Sequence, residues 1–451
     1  MEMGVSRLIP VKDGIRNYPP PIKAKVQEIP GHFAIEEKLS IKVPYSLHTE
    51  DSHSMRTRKK IKTTFSSKIV TDFKHIALAQ RSGIPQLWHD VEWAKEFFEF
   101  INWLVGSNKP DVLEIHPPFN DYCKSFVDFL GIFKVFYKKF NNRYPETTVV
   151  IENRCGTNYK GGKFLLSKCS DILEFAGILY NNSDIGLKIV LDYPQIFSTI
   201  IEEDNKISMG NLEGAVEKIK VFNQELKKHS EVIGGLHMWG KRKNKNGEWN
   251  PHAGNFDTFF SNGKELEELD DKEKKKVLKL KHDFLKSVFD TFFDDIPRYF
   301  VPEVYLGSQN DLHSIVADME KEGFIFPCCM LKIIKQKFDD YFGIWNILFP
   351  ENKLENRESG SIKTTGWEIR FCFGEKDGKE YMDCYCMHRM TNDRHTRIYE
   401  DGTVEDLHAF PFGYIYNPND PEDKKKSEEK YKKEIEKVKK LLCEKGFYPF
   451  D

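Results

Sequence analysis

The sequence has almost no net charge: 68 Lys and Arg stand against 70 Asp and Glu, leaving −2 over 451 residues. A globally basic nucleic-acid binder is therefore excluded, and any contact with nucleic acid falls to a local basic patch. No apolar run approaches the ~20 residues needed to span a bilayer. Met1-Glu2-Met3-Gly4 lacks the apolar core of a signal peptide. Cysteine is sparse, nine residues scattered along the chain, which suits a reduced cytosolic protein better than a disulfide framework. The 39% of hydrophobic residues still suffices for a full core and more than one domain.

What the sequence does contain is a series of short apolar runs that each end in a metal-type side chain. They are Val112-Leu113-Glu114-Ile115-His116, Val149-Val150-Ile151-Glu152-Asn153, Ile189-Val190-Leu191-Asp192, Ile233-Gly234-Gly235-Leu236-His237 and Phe300-Val301-Pro302-Glu303. A run of this kind reads as a strand buried in a parallel sheet. The charge at its end is costly to bury unless a cation or metal meets it. Phe73-Lys74-His75-Ile76-Ala77-Leu78 reads as a further short strand, carrying His75. Zinc, manganese and iron all accept imidazole nitrogen and carboxylate oxygen, so His75, His116, Glu152, Asp192, His237 and Glu303 form a candidate metal set.

Between these runs the spacing predicts helices over 92–105, 123–140, 168–179, 211–229, 265–293 and 311–321. Repeated strand–helix units with chemistry at each C-terminal strand end predict a (β/α)8 barrel, whose active sites sit at that face. A doubly wound open sheet would gather its site at one switch point instead. Ahead of the repeats, 1–30 reads as irregular because Pro19, Pro20 and Pro21 break any helix. Two strands are expected around 33–35 and 39–43, and 52–62 reads as an exposed basic loop.

The character changes near 323. The metal-binding barrel is expected over 1–322 and a small α+β appendage over 323–451. The appendage should carry a hairpin around Asp377-Gly378, a further strand pair near 397–404, and helices near 334–342 and 422–443. Cys384-x-Cys386-x-His388 places three ligand types on one strand, with Cys372 on its neighbour; cysteines lining a small sheet are the simpler reading. Arg389, Arg394, His395 and Arg397 read as solvent-facing, and Gly161-Gly162-Lys163 as a turn.

In order and spacing, His116-Pro117-Pro118, Glu152-Asn153-Arg154-Cys155-Gly156, Leu191-Asp192, Leu236-His237 and Pro302-Glu303 resemble the endonuclease IV and xylose-isomerase-like group of TIM barrels. The Glu-Asn-x-x-Gly signature and the His-Pro are most similar to endonuclease IV, the apurinic-site nuclease. The resemblance covers roughly 30–322. It implies zinc: His75, His116 and Glu152 at one ion, and Glu152, Asp192, His237 and Glu303 at a second, with Glu152 bridging. The family's third ion needs a His three residues after Asp192 and an Asp two before a later His. Gln195 and Asn250 stand at those positions and only His252 is kept, so two divalent ions (zinc, or manganese or magnesium) are expected and the third site is altered.

The resemblance further implies a metal-dependent phosphodiester hydrolase acting on DNA, with Glu152, His237 and Glu303 at the reacting centre. Lys241 and Arg242 would then hold phosphate, Trp249 would stack on a base, and Gln195 and Asn250 would line the substrate side. A sugar isomerase or epimerase using one ion on Glu152, Asp192, His237 and Glu303 is the alternative. A non-catalytic barrel that meets a protein partner through its appendage is a third.

Overall fold

The computed structural model describes residues 6–14, 16–19, 22, 24, 26–50, 65–81, 84–159, 162–294 and 296–326, and the strands 359–364, 367–376, 379–388, 391–399 and 404–409. The chain divides into two compact units, one of residues 1–19 and 23–326, the other of 20–22 and 327–451.

The first unit is a closed barrel of parallel strands: β1 (Ser6–Lys12), β2 (Val26–Gly31), β3 (Tyr45–Thr49), β4 (Val112–Ile115), β5 (Thr148–Glu152), β6 (Leu187–Asp192), β7 (Ile233–His237) and β8 (Arg298–Val301). Closure is made by β8 on β1, where Leu8 faces Arg298 and Pro10 faces Phe300. Phe324–Ile325 adds a further parallel pairing on β1. Helices α1 (Ser67–Asp72), α2 (Lys74–Leu78) and α3 (Val91–Val105) lie between β3 and β4, and α4 (Phe126–Arg143) between β4 and β5. Then come α5 (Cys169–Tyr180), α6 (Tyr193–Glu203) and α7 (Glu213–Leu226), α8 (Phe256–Phe260) and α9 (Asp271–Thr291), and α10 (Gln309–Lys321). The expected (β/α)8 barrel is thus the fold. Among the described residues no helix joins β1 to β2 or β2 to β3, and none is long and apolar enough to cross a membrane.

The first three strands lie elsewhere than expected. β1 and β2 fall inside the stretch read as irregular, and 33–35 and 39–43 are not strands; β3 follows them. Proline masked β1 and β2, because a proline within a run argues against a central strand. Here Pro10 closes the β1–β8 register opposite Phe300, and Pro30 lies opposite His48 with the register continuing to Gly31. Within the 73–78 stretch, Lys74–Leu78 is helical and not a strand. Ile69 on α1, Phe73 at the break between the two helices and Ile76 on α2 are all buried, and this packing outweighs the short apolar run.

The helical layer on the β3–β5 side is aromatic. Trp88 packs at 5.1 Å from Trp93, 5.3 Å from Phe97, 5.6 Å from Phe129 and 5.5 Å from Phe136, ring centre to ring centre. Burying each such side chain is worth about 1.5–3 kcal/mol, which fixes α3 and α4 firmly behind β4. Side-chain caps set where these helices begin: Asp90 accepts from the Trp93 N–H and Ser125 from the Asp128 N–H.

In the second unit, Ser359–Thr364, Trp367–Lys376, Lys379–His388, Thr391–Tyr399 and Val404–Ala409 form an antiparallel sheet in chain order. Lys376 pairs with Lys379 across the connection that holds Asp377-Gly378, and Cys384 pairs with Phe371 rather than with Cys372. The helices expected near 334–342 and 422–443 lie outside the described residues.

Candidate metal centre

Each barrel strand delivers its last residues to one end of the sheet. On β4 the period of two sends Glu114 and His116 to the same side. Glu114, His116, Glu152, Asp192 and His237 are each at most 2% exposed, and Glu303 is 3% exposed. Two groups here have ligand atoms within 4.8 Å of one another: His48 with Glu114, His116 and Glu152, and Glu152 with Asp192 and His237. The barrel therefore brings five expected residues into one cluster, since Glu303 Oε1 is 3.3 Å from His237 Nδ1.

His75 is not among them. It sits exposed on α2, and the imidazole beside His116 belongs to His48 on β3. His48 Nε2 is 3.1 Å from His116 Nε2 and 3.8 Å from Glu114 Oε1. Its Nδ1 donates to Glu28 Oε1 at 2.8 Å. A carboxylate only accepts, so a proton sits on Nδ1, and Nε2 is the nitrogen that faces the cluster. Burial would lower the His48 pKa, but the Glu114, Glu28 and Glu152 carboxylates outweigh it and raise it well above the ordinary value. Sequence reasoning missed His48, Glu28 and Glu114. The first two lie on strands with no long apolar run. Glu114 was legible from its position two residues before His116.

Glu152 is gripped from several directions. Arg154 Nη1 donates to both of its oxygens, at 3.1 and 2.9 Å, and His116 Nε2 lies 2.8 Å from Oε2. Burial alone would push this carboxyl up, but Arg154, His116 and His237 outweigh it and hold the group well below the usual carboxylate range. Asp192, which burial and the Glu152 charge push up to about 7, also caps α6 by accepting from the Gln195 N–H at 3.0 Å. That cap sets Gln195 against the cluster: its Nε2 donates to Glu152 Oε1 and to Asp192 Oδ2, both at 2.6 Å. Trp239 Nε1 donates to Asp192 Oδ2 at 3.1 Å. Gly156 keeps α6 this close. Its N–H donates to Thr199 Oγ1 at 2.8 Å, and a Cβ there would meet Thr199 Cγ2 at 2.8 Å.

His237 lies between two acids, Nε2 3.4 Å from Glu114 Oε2 and Nδ1 3.3 Å from Glu303 Oε1. Burial would lower its pKa, yet Glu114 and Glu303 raise it well above the ordinary value. Glu303 has φ of 43°, a conformation that costs about 1–3 kcal/mol for a residue other than glycine.

His252 stands at the rim with its ring 4.1 Å from Trp239 and 4.5 Å from Tyr305, and belongs to neither ligand group. Asn250 pairs with Arg242, and Trp249 with Lys243, in an antiparallel hairpin of Lys241–Lys243 and Trp249–Pro251. Lys241 donates to Ser198 Oγ at 2.7 Å. Arg242 pairs with Asp311 and with Glu265, each at 2.9 Å. These two side chains anchor the hairpin, while Lys243 lies 5.0 Å above the Trp249 ring.

The donor set fits a divalent ion on chemical grounds. Ligands about 2.0–2.1 Å from a tetrahedral ion lie about 3.3 Å from each other, and the 3.1 Å and 3.8 Å separations around His48 Nε2 straddle that value. Glu114 Oε1 and Glu303 Oε2 are buried and make no hydrogen bond among the described residues. Buried acidic oxygens left in that state call for a cation.

No protein-family model and no curated protein matches the sequence. Solved structures similar to the chain include the crystal structure of AsfvAP:AG, at 10% identity and a TM-score of 0.32, over 66% of this chain and 86% of that one. A xylose isomerase domain protein from Planctomyces limnophilus is similar at 14% identity and a TM-score of 0.29, over 65% of this chain and 95% of that one. A GH5-4 broad-specificity endoglucanase from Ruminococcus champanellensis with bound cellotriose is similar at 10% identity and a TM-score of 0.23, over 66% and 81% of the two chains.

Proposed function

We propose that this chain is a metal-dependent phosphodiester hydrolase that acts on nucleic acid. The observation that carries the reading is the pair of imidazoles, His48 and His116, set 3.1 Å apart at Nε2 against the Glu152 carboxylate. Imidazoles and carboxylates are the donor set of hydrolytic zinc centres, which can expand to five ligands to admit water. A divalent ion there supplies Lewis acidity, which polarises a phosphoryl oxygen and activates water at neutral pH.

The chain's own residues do the rest. Glu28 holds His48 in the tautomer that faces the site, and Arg154 orients Glu152. Glu303, whose carboxyl is pushed up to about 8 by burial, would exchange a proton with the attacking water through Oε2, which makes no hydrogen bond among the described residues. The hairpin of 241–251 leaves the barrel just after His237. It offers Lys243 and Lys245 to phosphates and Trp249 to a base face.

The sugar-isomerase alternative needs its ion among Glu152, Asp192, His237 and Glu303. There the Gln195 amide bridges Glu152 and Asp192, and the two imidazoles have no task. The test is cleavage of an abasic or nicked duplex by the purified chain. Cleavage should stop on chelation, return with zinc, and be lost in Glu152→Gln. Turnover of a ketose with no cleavage of any phosphodiester would sink the reading.

A further inference from the structure

We propose that the centre is built for one ion, held on the His48–Glu114–His116 side of Glu152. On the Asp192 side, the Gln195 amide and the Trp239 indole turn fixed N–H donors toward the carboxylate that a second ion would need. The proposal rests on the metal-dependent reading above and adds which oxygens take the ion.

On the Asp192 side the carboxylate oxygens already take several N–H donors. Glu152 Oε1 accepts from Arg154 and from Gln195. Asp192 Oδ1 accepts from the Gln195 N–H, and Oδ2 accepts from both Gln195 Nε2 and Trp239 Nε1. A carboxylate oxygen has about two lone pairs to give, so Asp192 Oδ2 has none left for a metal. The direction of the Gln195 amide is settled by its other end, where Oε1 accepts from the Cys155 N–H at 2.9 Å. The amide therefore turns N–H groups, not lone pairs, toward the two carboxylates. An ion placed between Glu152 and Asp192 would face those donors.

Arg154 also brings a fixed positive charge to Glu152. Arg154 is 4% exposed, its guanidinium lies 5.9 Å from the Phe164 ring, and it stays protonated at any pH the protein survives. Like charges a few ångströms apart in a buried site repel strongly. A guanidinium already bonded to both oxygens of Glu152 supplies the neighbouring positive charge without a metal.

On the opposite side Glu152 Oε2 meets Arg154 Nη1 at 2.9 Å and His116 Nε2 at 2.8 Å, and Glu114 keeps the free acceptor: its Oε1 makes no hydrogen bond among the described residues, and His48 Nε2 lies 3.8 Å from it. His48, Glu114, His116 and Glu152 offer four ligand atoms within 4.8 Å of one another, enough to hold an ion without Asp192.

The experiment measures metal on the full-length chain. Chelator-stripped protein is titrated with zinc by calorimetry, and its content after dialysis is read by mass spectrometry. The expected result is one ion per chain in the wild type and in Asp192→Asn, and binding weakened by more than tenfold in Glu114→Gln. The double variant Arg154→Ala, Gln195→His should take up a second ion. Circular dichroism checks that each variant folds. Because a variant can fail that check, the wild type is also loaded with cobalt and examined by electron paramagnetic resonance, which should give the signal of an isolated ion.

Two tightly held ions in the wild type, or the signal of a coupled cobalt pair, overturns the proposal. So does a folded Asp192→Asn that releases its ion while Glu114→Gln keeps it. One ion without phosphodiester cleavage leaves the proposal standing and removes the hydrolase reading. Cleavage with two ions does the reverse.

Discussion

His48 and His116 stack with their ring centres 4.9 Å apart and their planes at 25°, and their Nε2 atoms are 3.1 Å from each other. Both nitrogens also face Glu152 Oε2, at 3.9 and 2.8 Å, so the pair is where a ligand exchange experiment has most to say. His48→Ala should abolish tight zinc binding, a larger loss than the 10–100-fold, or about 1.4–2.7 kcal/mol, typical of outer-shell changes. His75→Ala, on exposed α2, should bind as the wild type does and shift stability by no more than about 0.5 kcal/mol. Calorimetric titration of the two variants side by side decides between the positions. Undiminished zinc affinity in a folded His48→Ala would refute the assignment.

Glu28 fixes the direction of His48 through the 2.8 Å bond to Nδ1. Glu28→Gln keeps the shape but replaces the carboxylate by an amide that can turn a donor toward the ring. Zinc affinity should fall by about 10–100-fold, with the fold unchanged by circular dichroism. An affinity equal to wild type would mean that the tautomer is held by something else.

The sequence made the later strands legible and hid the earlier ones. Val149-Val150-Ile151-Glu152 and Lys188-Ile189-Val190-Leu191-Asp192 are buried along nearly their whole length, so hydrophobicity alone marks them. β3 reads Tyr-Ser-Leu-His-Thr, and its polar residues are buried by the sheet and by partners far away in sequence. Thr49 Oγ1, for example, donates to Glu114 O at 2.8 Å. No local pattern could announce that, and His75 was taken instead of His48 because its segment had the more apolar flank. Gln195 was found because it stood where a ligand was expected. That its amide faces the carboxylates with nitrogen depends on the Cys155 N–H, which only the fold brings near.

The hairpin should divide its basic residues by task. Lys243 and Lys245 are the ones proposed for phosphate, so Lys243→Ala with Lys245→Ala should lower the salt dependence of duplex binding by about 0.9 for each phosphate no longer neutralised. Arg242→Ala should act on stability instead, since it strips a partner from Asp311, which is 2% exposed. Arg242 itself is partly exposed, so the cost is about 1–2 kcal/mol. Fluorescence titrations at several salt concentrations, with urea melts, separate the two effects. An unchanged slope in the double lysine variant would remove the hairpin from the proposed interface.

At the foot of β8, Arg298 is completely buried and donates to both oxygens of Asp294 at 2.7 Å, with its guanidinium 4.4 Å from the Phe292 ring. Burial pushes the Asp294 carboxyl up, but Arg298 outweighs it and the pKa falls below the ordinary 3.8. Between those two values the unfolded chain binds the proton and the folded chain does not. The contribution is therefore fully present above the unfolded pKa and is lost as pH falls through the folded one. Arg298→Met should cost about 3 kcal/mol at pH 7 and remove the part of the acid sensitivity that Asp294 carries. Urea melts at pH 7, 4 and 3 should show the difference between wild type and variant shrinking as pH drops. A difference that stays constant across that range would show that the cost lies in packing against Phe292 rather than in the ion pair.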